Sequence, residues 1–386
     1  MKGTFSRTST SSGPSHLQPV DFQPLGRVIF APGSLTRLGE AAREIRISRA
    51  LLVTDPGLTQ TAHPRRSVEY LEKAGVIVAT FDGVKENPTE KEVAAGVEFA
   101  RRHGADGIVA IGGGSSMDCA KGINFLLTNG GRMADYKGHG KATKPMLPSI
   151  GVPTTSGTGS EAQSYALITD SSTHIKMACG DKKAAFRVSI LDPELTRSQP
   201  KMVTAVTGID ALAHAVESLV CTKANPFSRM CSIAAWNHLE PNFETVLREP
   251  DNLAARSEMQ IGSHFAGMAI EAAMLGVCHS CANPLTAHYG LTHGTAIGIL
   301  LPHVVRFNAA VAGDRYRELG VDPESLANRI AELTRVAGLP SRLQDCGVSE
   351  SILHLMAAEA NEQWTARFNP RPVGEPEILS IYHAAW

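Results

Sequence analysis

Aromatic side chains are scarce in this chain: 5% of 386 residues, with only 3 Trp and 6 Tyr. That argues against a stacking platform for nucleic-acid bases. A basic excess is also missing. Lys and Arg number 37 against 38 Asp and Glu, for a net charge of −1, so no positive field exists to hold nucleic acid or an anionic membrane surface. No run of about 18 apolar residues appears, and no membrane span is expected. Cysteine is sparse and odd in number, at 7, which does not make a disulfide framework. Reduced thiols in a cytoplasmic protein fit better. The first residues, MKGTFSRTSTSSGPSHLQP, lack the apolar core of a secretory signal and read as a flexible tail over 1–19.

What is present suffices for two ordinary domains. Hydrophobic residues make up 43% and charged residues 19%. Along 20–199, short apolar runs alternate with helical stretches. ALLVTD (50–55), VIVATFD (76–82), DGIVAIGGG (106–114) and VSILDPEL (188–195) read as strands. TEKEVAAGVEFARRHG (89–104) reads as a helix capped by Thr89 and stopped by Gly104. YALITD and THIKMA read as an antiparallel hairpin. This spacing implies a parallel sheet with helices on both faces. From about Met202 the apolar residues recur at three and four and strand signals fade, so 200–386 should be helical.

Four stretches carry chemistry. Gly112-Gly113-Gly114-Ser115 lies between a strand and a helix, where close backbone approach and free N–H groups suit a pyrophosphate. The alternative is a tight turn with no ligand, since the spacing is not GxGxxG. PTTSGTGSE (153–161) offers the hydroxyls of Thr154, Thr155, Ser156, Thr158 and Ser160 at a strand end; the alternative is a polar surface loop. Asp55 could accept both hydroxyls of a ribose, or simply serve its Asp-Pro-Gly turn. Lastly, Asp210 and His214 stand four apart on one helical face, and His279 and His293 follow in a second segment. Three imidazoles and a carboxylate suit Fe²⁺ or Zn²⁺. His279 should begin a short helix that Pro284 ends or kinks. Cys278 and Cys281 read as packing residues rather than ligands.

The ordered set VTD (53–55), GGGSSMDCAK (112–121), PTTSGTGSE (153–161), GIDALAHAVE (208–217), HxxxNPLxxxYGLTHG (279–294) and LLPHVVRFN resembles the iron-containing (group III) alcohol dehydrogenases, near the lactaldehyde reductase branch. The likeness extends from about Val28 to the final IYHAAW. It implies an α/β N-terminal dinucleotide-binding domain plus an all-α C-terminal domain, the dehydroquinate synthase-like fold, with NAD and a metal between them. It implies hydride exchange between NAD(H) and a small alcohol or aldehyde, and a homodimer. By position it makes Asp210, His214, His279 and His293 the metal ligands. Gly113, Gly114 and Ser115 would hold the pyrophosphate, and Thr154, Thr155, Thr158 and Lys176 would line the cofactor. Asp118 would lie near it, and Asp55 would favour NAD over NADP. Relatives often carry a histidine where this chain has Asn283, so Asn283 would orient a water or hydroxyl rather than relay a proton, and His288 is a candidate relay. Sister activities on the fold are a glycerol dehydrogenase, a maleylacetate reductase or a dehydroquinate synthase-like lyase. A pseudoenzyme that binds NAD without turnover is a further alternative. The 210–293 segment is poor in Lys and Arg, which favours a small neutral substrate.

Overall fold

A computed structural model describes residues 23–173 and 176–386; the segment read as a flexible tail lies outside the described residues. The first half alternates strand and helix: β1 (Arg27–Phe30), α1 (Leu38–Glu44), β2 (Arg49–Val53), α2 (His63–Lys73), β3 (Ile77–Phe81), α3 (Glu90–His103), β4 (Gly107–Gly112) and α4 (Gly114–Asn129). There follow β5 (Gly138–His139), β6 (Ser149–Pro153), the β7 (Tyr165–Thr169) and β8 (Lys176–Gly180) hairpin, and β9 (Val188–Leu191). The main sheet is parallel, in the order β1-β9-β6-β4-β2-β3. Its central strands are apolar on both faces, and every residue of β4 is buried. Helices cover both sides, and this is why these strands read as unbroken apolar runs. Each fully buried leucine, such as Leu51 or Leu52, contributes about 1.5–3 kcal/mol.

Register brings distant motifs together. Gly112 of β4 pairs with Pro153 of β6, so the glycine turn and the 153–161 loop leave the sheet side by side. Val53 of β2 pairs with Ala110, which sets Asp55 beside Gly112. On α3, Thr89 caps the helix as expected, Glu92 completes a capping box with it, and Gly104 ends the helix in the left-handed region at φ 68°.

The second half is helical: α5 (Lys201–Val220), α6 (Pro226–Arg248), α7 (Leu253–Ala272), α8 (Val277–Tyr289), α9 (His293–Tyr316), α10 (Pro323–Val336), α11 (Leu353–Glu362) and α12 (Glu375–Ala385). They share one core, in which α5 is buried continuously from Gly208 to Val220. Among the described residues, length and composition would let two helical stretches, Lys201–Val220 and His293–Leu319, cross a membrane, or three if the bent pair α7–α8 counts as one span. The sequence reading missed this because small and polar residues interrupt each run. In this fold 83% and 61% of the apolar windows of those two stretches are buried inside the protein.

One expectation needs correcting. Of the two outcomes expected at Pro284, an end or a kink, the end is not found: α8 continues through it to Tyr289. Proline removes one backbone donor, and packing can hold the remaining turns in place. Pro241 and Pro302 likewise sit inside α6 and α9.

Candidate active site

A cavity of about 510 Å³ opens between the two halves. Its helical wall carries Asp210 and His214 from α5, His279 and Asn283 from α8, and His293 from the first turn of α9. Gly294 lets α9 approach: a Cβ there would stand 2.0 Å from the Val206 carbonyl oxygen of α5. Any larger residue would push His293 away from Asp210.

The four side chains converge. Asp210 Oδ1 lies 3.3 Å from His214 Nε2, 3.4 Å from His279 Nε2 and 3.6 Å from His293 Nε2. Ligand atoms of Asp210, His279 and His293 all fall within 4.8 Å of one another, and His214 flanks them. Asp210 Oδ1 and His279 Nε2 are buried and neither has a hydrogen-bond partner. Leaving such atoms unpaired costs about 1–3 kcal/mol each. A divalent cation bound by all four would remove that cost, and three nitrogens with one oxygen suit Fe²⁺ or Zn²⁺.

The protonation states agree with such a role. Burial pushes His214 down to about 4 against the pull of Asp210. Burial also holds His293 at about 3. Both rings therefore offer lone pairs at neutral pH. Burial would raise Asp210, but His214 and the other imidazoles hold it well below the usual carboxylate range. His279 differs. Burial would lower it, yet Glu217 and Asp210 outweigh that and lift it to about 9.

Glu217 is the residue that sequence reading passed over. One turn beyond His214 on α5, its Oε2 contacts His279 Nδ1 and its Oε1 accepts from the Cys278 backbone N–H at 2.8 Å. A carboxylate on Nδ1 fixes the ring so that Nε2 points at Asp210. The available signal was its place in the i, i+4, i+7 row of Asp210, His214 and Glu217.

The opposite wall is the sheet edge. Gly114, Ser115 and Asp118 of α4, Thr155 and Thr158 of the loop, and Lys176 of β8 all line the cavity. Gly112 has φ 150°, and a Cβ there would meet Ser116 Oγ at 2.4 Å, so the turn requires glycine. Gly113 caps α4 without lining the cavity, and Thr154 is packed behind it. The Thr154 N–H donates to the Gly112 carbonyl at 2.9 Å and its own carbonyl accepts from Gln199 at 2.7 Å. Asp55 lies just outside the lining; it accepts from Leu58 N–H at 2.9 Å and from Ser116 Oγ at 3.1 Å.

Asp118 has a structural duty, accepting from Ser160 Oγ at 2.6 Å. Burial raises its pKa, while Lys121 opposes the rise. Lys121, which the sequence reading did not single out, is fully buried. It donates to the Ser160 carbonyl (2.7 Å), Ser160 Oγ (2.8 Å) and the Tyr165 carbonyl (2.8 Å). A lysine amid the apolar α4 sequence was the signal. Together Asp118 and Lys121 tie the 153–161 loop to α4.

Comparison with known proteins settles the family. Models described as "Iron-containing alcohol dehydrogenase" and "Fe-containing alcohol dehydrogenase family, C-terminal" match residues 26–193 and 204–386. The chain belongs to the iron-containing alcohol dehydrogenase family. It is 37% identical over 360 residues to alcohol dehydrogenase 4 of Schizosaccharomyces pombe, covering 90% of this chain and 85% of that one. It is 33% identical over 366 residues to the NAD-dependent methanol dehydrogenase of Bacillus methanolicus, covering 92% and 96%. A crystal structure of 1,3-propanediol oxidoreductase superimposes with a TM-score of 0.92 at 34% identity, covering 96% of this chain and all of that one. The α/β plus all-α architecture is the fold of this family.

Within this alcohol dehydrogenase, one candidate is misplaced. His288 does not reach the cavity; its Nε2 bonds Glu359 at 2.7 Å on the exposed side. Nine residues beyond His279, it lies about half a turn round α8 from the cluster. Asn283, by contrast, lines the cavity and donates to Gln363 Oε1 at 3.1 Å.

Proposed function

We propose that this chain is a metal-dependent oxidoreductase that moves a hydride between NAD(H) and a small, neutral alcohol or aldehyde. Asp210, His214, His279 and His293 would hold the metal. Ferrous iron is the ion the family name implies, and zinc suits the same donors. The observation that carries the reading is the convergence of three imidazole nitrogens on the unpartnered Asp210 Oδ1, at 3.3–3.6 Å.

When bound, the metal supplies Lewis acidity toward the substrate oxygen, and the nicotinamide takes up or delivers the hydride. The chain's own residues bind, orient and exclude water. Glu217 keeps a proton on His279 Nδ1, leaving Nε2 free to ligate. The N-terminus of α4, with Gly113, Gly114 and Ser115, presents backbone N–H groups and a positive dipole end to the pyrophosphate. Thr155 and Thr158, which line the cavity, would hold the nicotinamide side, Thr154 would support their loop, and Lys176 of β8 would bind the cofactor. The Asp55 carboxylate favours NAD, since a 2′-phosphate would meet its charge. Asn283 orients a water or hydroxyl; an amide does not relay protons by ionising.

A lyase of the dehydroquinate synthase type is disfavoured. Its polyanionic substrate needs several cations, whereas Lys176 is the only Lys or Arg among the described residues lining the cavity. The cytoplasmic reading rests on seven free cysteines, six of them buried. The homodimer rests on the family likeness, and solution sizing tests it.

The deciding experiment is elemental analysis of the purified protein, with NADH absorbance followed across a panel of alcohols and aldehydes. Turnover with about one divalent ion per chain is expected. His279→Ala should remove metal and activity together, and an active, metal-loaded His279→Ala protein would overturn the ligand assignment. Bound NAD and metal without turnover of any alcohol or aldehyde would favour the pseudoenzyme.

A further inference from the structure

Helix α7 carries a row of residues, none of which lines the active-site cavity. Arg256, Gln260, His264, Gly267 and Glu271 fall within an arc of about 80° on its surface. Arg256, Gln260 and His264 are 3% exposed or less, although all three are polar. The row runs along the back of the 153–161 loop. Arg256 donates to Gln199 Oε1 at 3.3 Å, and Gln199 Nε2 donates to the Thr154 carbonyl at 2.7 Å. Gln260 Nε2 donates to the Pro153 carbonyl at 3.3 Å. His264 Nδ1 pairs with Glu161 Oε1 at 3.0 Å. Glu271 accepts from the Ser164 N–H at 2.9 Å and from Ser164 Oγ at 2.7 Å. In the middle of the row the backbones meet: a Cβ on Gly267 would stand 2.5 Å from the Gly159 carbonyl oxygen.

An adjacent face of α7 packs on α5, where a Cβ on Gly208 would meet Met259 Cε at 3.2 Å. So α7 touches both the loop whose Thr155 and Thr158 line the cavity and the helix that carries Asp210 and His214. One member of the row is costly. Gln260 Oε1 is buried with no hydrogen-bond partner. The fold thus carries an unsatisfied acceptor at a position that an apolar side chain could fill.

We infer that this buried row of α7 is a positioning element: it fixes the 153–164 segment against α5, and so sets the nicotinamide side of the cavity against the Asp210 cluster. This rests on the oxidoreductase reading above. Hydride transfer depends on placement, and a displacement of about 1 Å costs about a hundredfold in rate. Apolar packing alone would hold the two halves together without choosing a register, because it has no direction. Hydrogen bonds to chosen groups of the loop do choose one. The competing role for the row is plain adhesion between the two halves.

Gln260→Met separates the two roles. It keeps the shape, removes the bond to Pro153 and removes the unpaired acceptor. Under adhesion alone it should leave activity as it is and hold or raise the melting temperature. Under positioning it should lower kcat/KM for alcohol oxidation with NAD about tenfold, with metal content and melting temperature undiminished. Glu271→Ala should slow turnover as much, and both variants should weaken NADH binding, read by fluorescence titration of the metal-loaded protein. Glu271→Gln, which still accepts from the Ser164 N–H, should stay within about twofold of the wild type. The slowed variants should also show a larger isotope effect with deuterated alcohol, because hydride transfer rather than release then limits turnover. Values of kcat/KM, isotope effect and NADH affinity all within about twofold of the wild type in Gln260→Met and Glu271→Ala would overturn the inference and leave α7 as adhesion. A slow Gln260→Met protein that has also lost metal or melting temperature would overturn it too. NADH affinity is read without turnover. A wild type that turns over no alcohol, with the affinity loss present in both variants, would therefore strike the oxidoreductase reading alone.

Discussion

The metal-type cluster and the glycine turn face each other across one cavity, yet they are assembled in opposite ways. The cluster is made of side chains. Asp210, His214 and Glu217 come from one face of α5, and His279 and His293 come from the starts of two later helices. At its centre Asp210 Oδ1 and His279 Nε2 are buried and unpartnered, held by helices whose cores are shared. The nucleotide side is made of backbone and small residues. Gly112 to Gly114 and the 153–161 loop are brought together by strand register, then pinned by Asp118 and Lys121 through Ser160. The lesson is that a point charge needs converging side chains, while an extended anion needs room and N–H groups.

That contrast can be broken from either side. The largest effect after loss of a ligand should come from Glu217→Ala. It touches no substrate, yet metal affinity should fall about 10–100-fold. Metal retention during dialysis against a chelator measures this, and wild-type retention would leave Glu217 a packing residue. NADH affinity should stay within about twofold, since additivity holds for separate sites. On the other wall, Asp55→Ala should shift the NADP-to-NAD ratio of kcat/KM toward NADP by about tenfold, or ~1.4 kcal/mol. Metal content should not change; a ratio that does not move would return Asp55 to its turn.

The smallest effect is a proton count. At pH 7, His214 and His293 of the metal-free protein are already neutral, at about 4 and 3, while His279 at about 9 is protonated. Metal uptake should therefore release about one proton per chain. Calorimetry in buffers of differing ionisation enthalpy reads this number, and release of three would contradict the site. The same shifts set the stability of the metal-free chain. His279 sits above its ordinary 6.5, so its contribution is full below that pH and is lost as pH rises toward 9. His214 and His293 sit below it, so theirs is present above 6.5 and is lost as pH falls toward 4 and 3.

Sequence alone carried the alternation of strand and helix, the change of character near Met202 and the segments that hold the four candidate ligands. These are local signals: apolar period, caps and turn residues. Convergence of Asp210 with His279 and His293 was not local, because nothing in spacing says that α5, α8 and α9 meet. Gly294, which permits that contact, looked like any other glycine. His288 was offered as a relay by its place in the family motif, but α8 continues past Pro284 and turns that position away from the cavity, toward Glu359. Glu217 lay in plain view within GIDALAHAVE, but its value depends on a histidine 62 residues away. Gln363 had no motif at all. Composition and periodicity fixed what kind of layers the chain builds, since those follow from each segment's own burial. Which side chains face one cavity was decided only by tertiary packing, because helix rotation and strand register are set by partners that sequence order does not reveal.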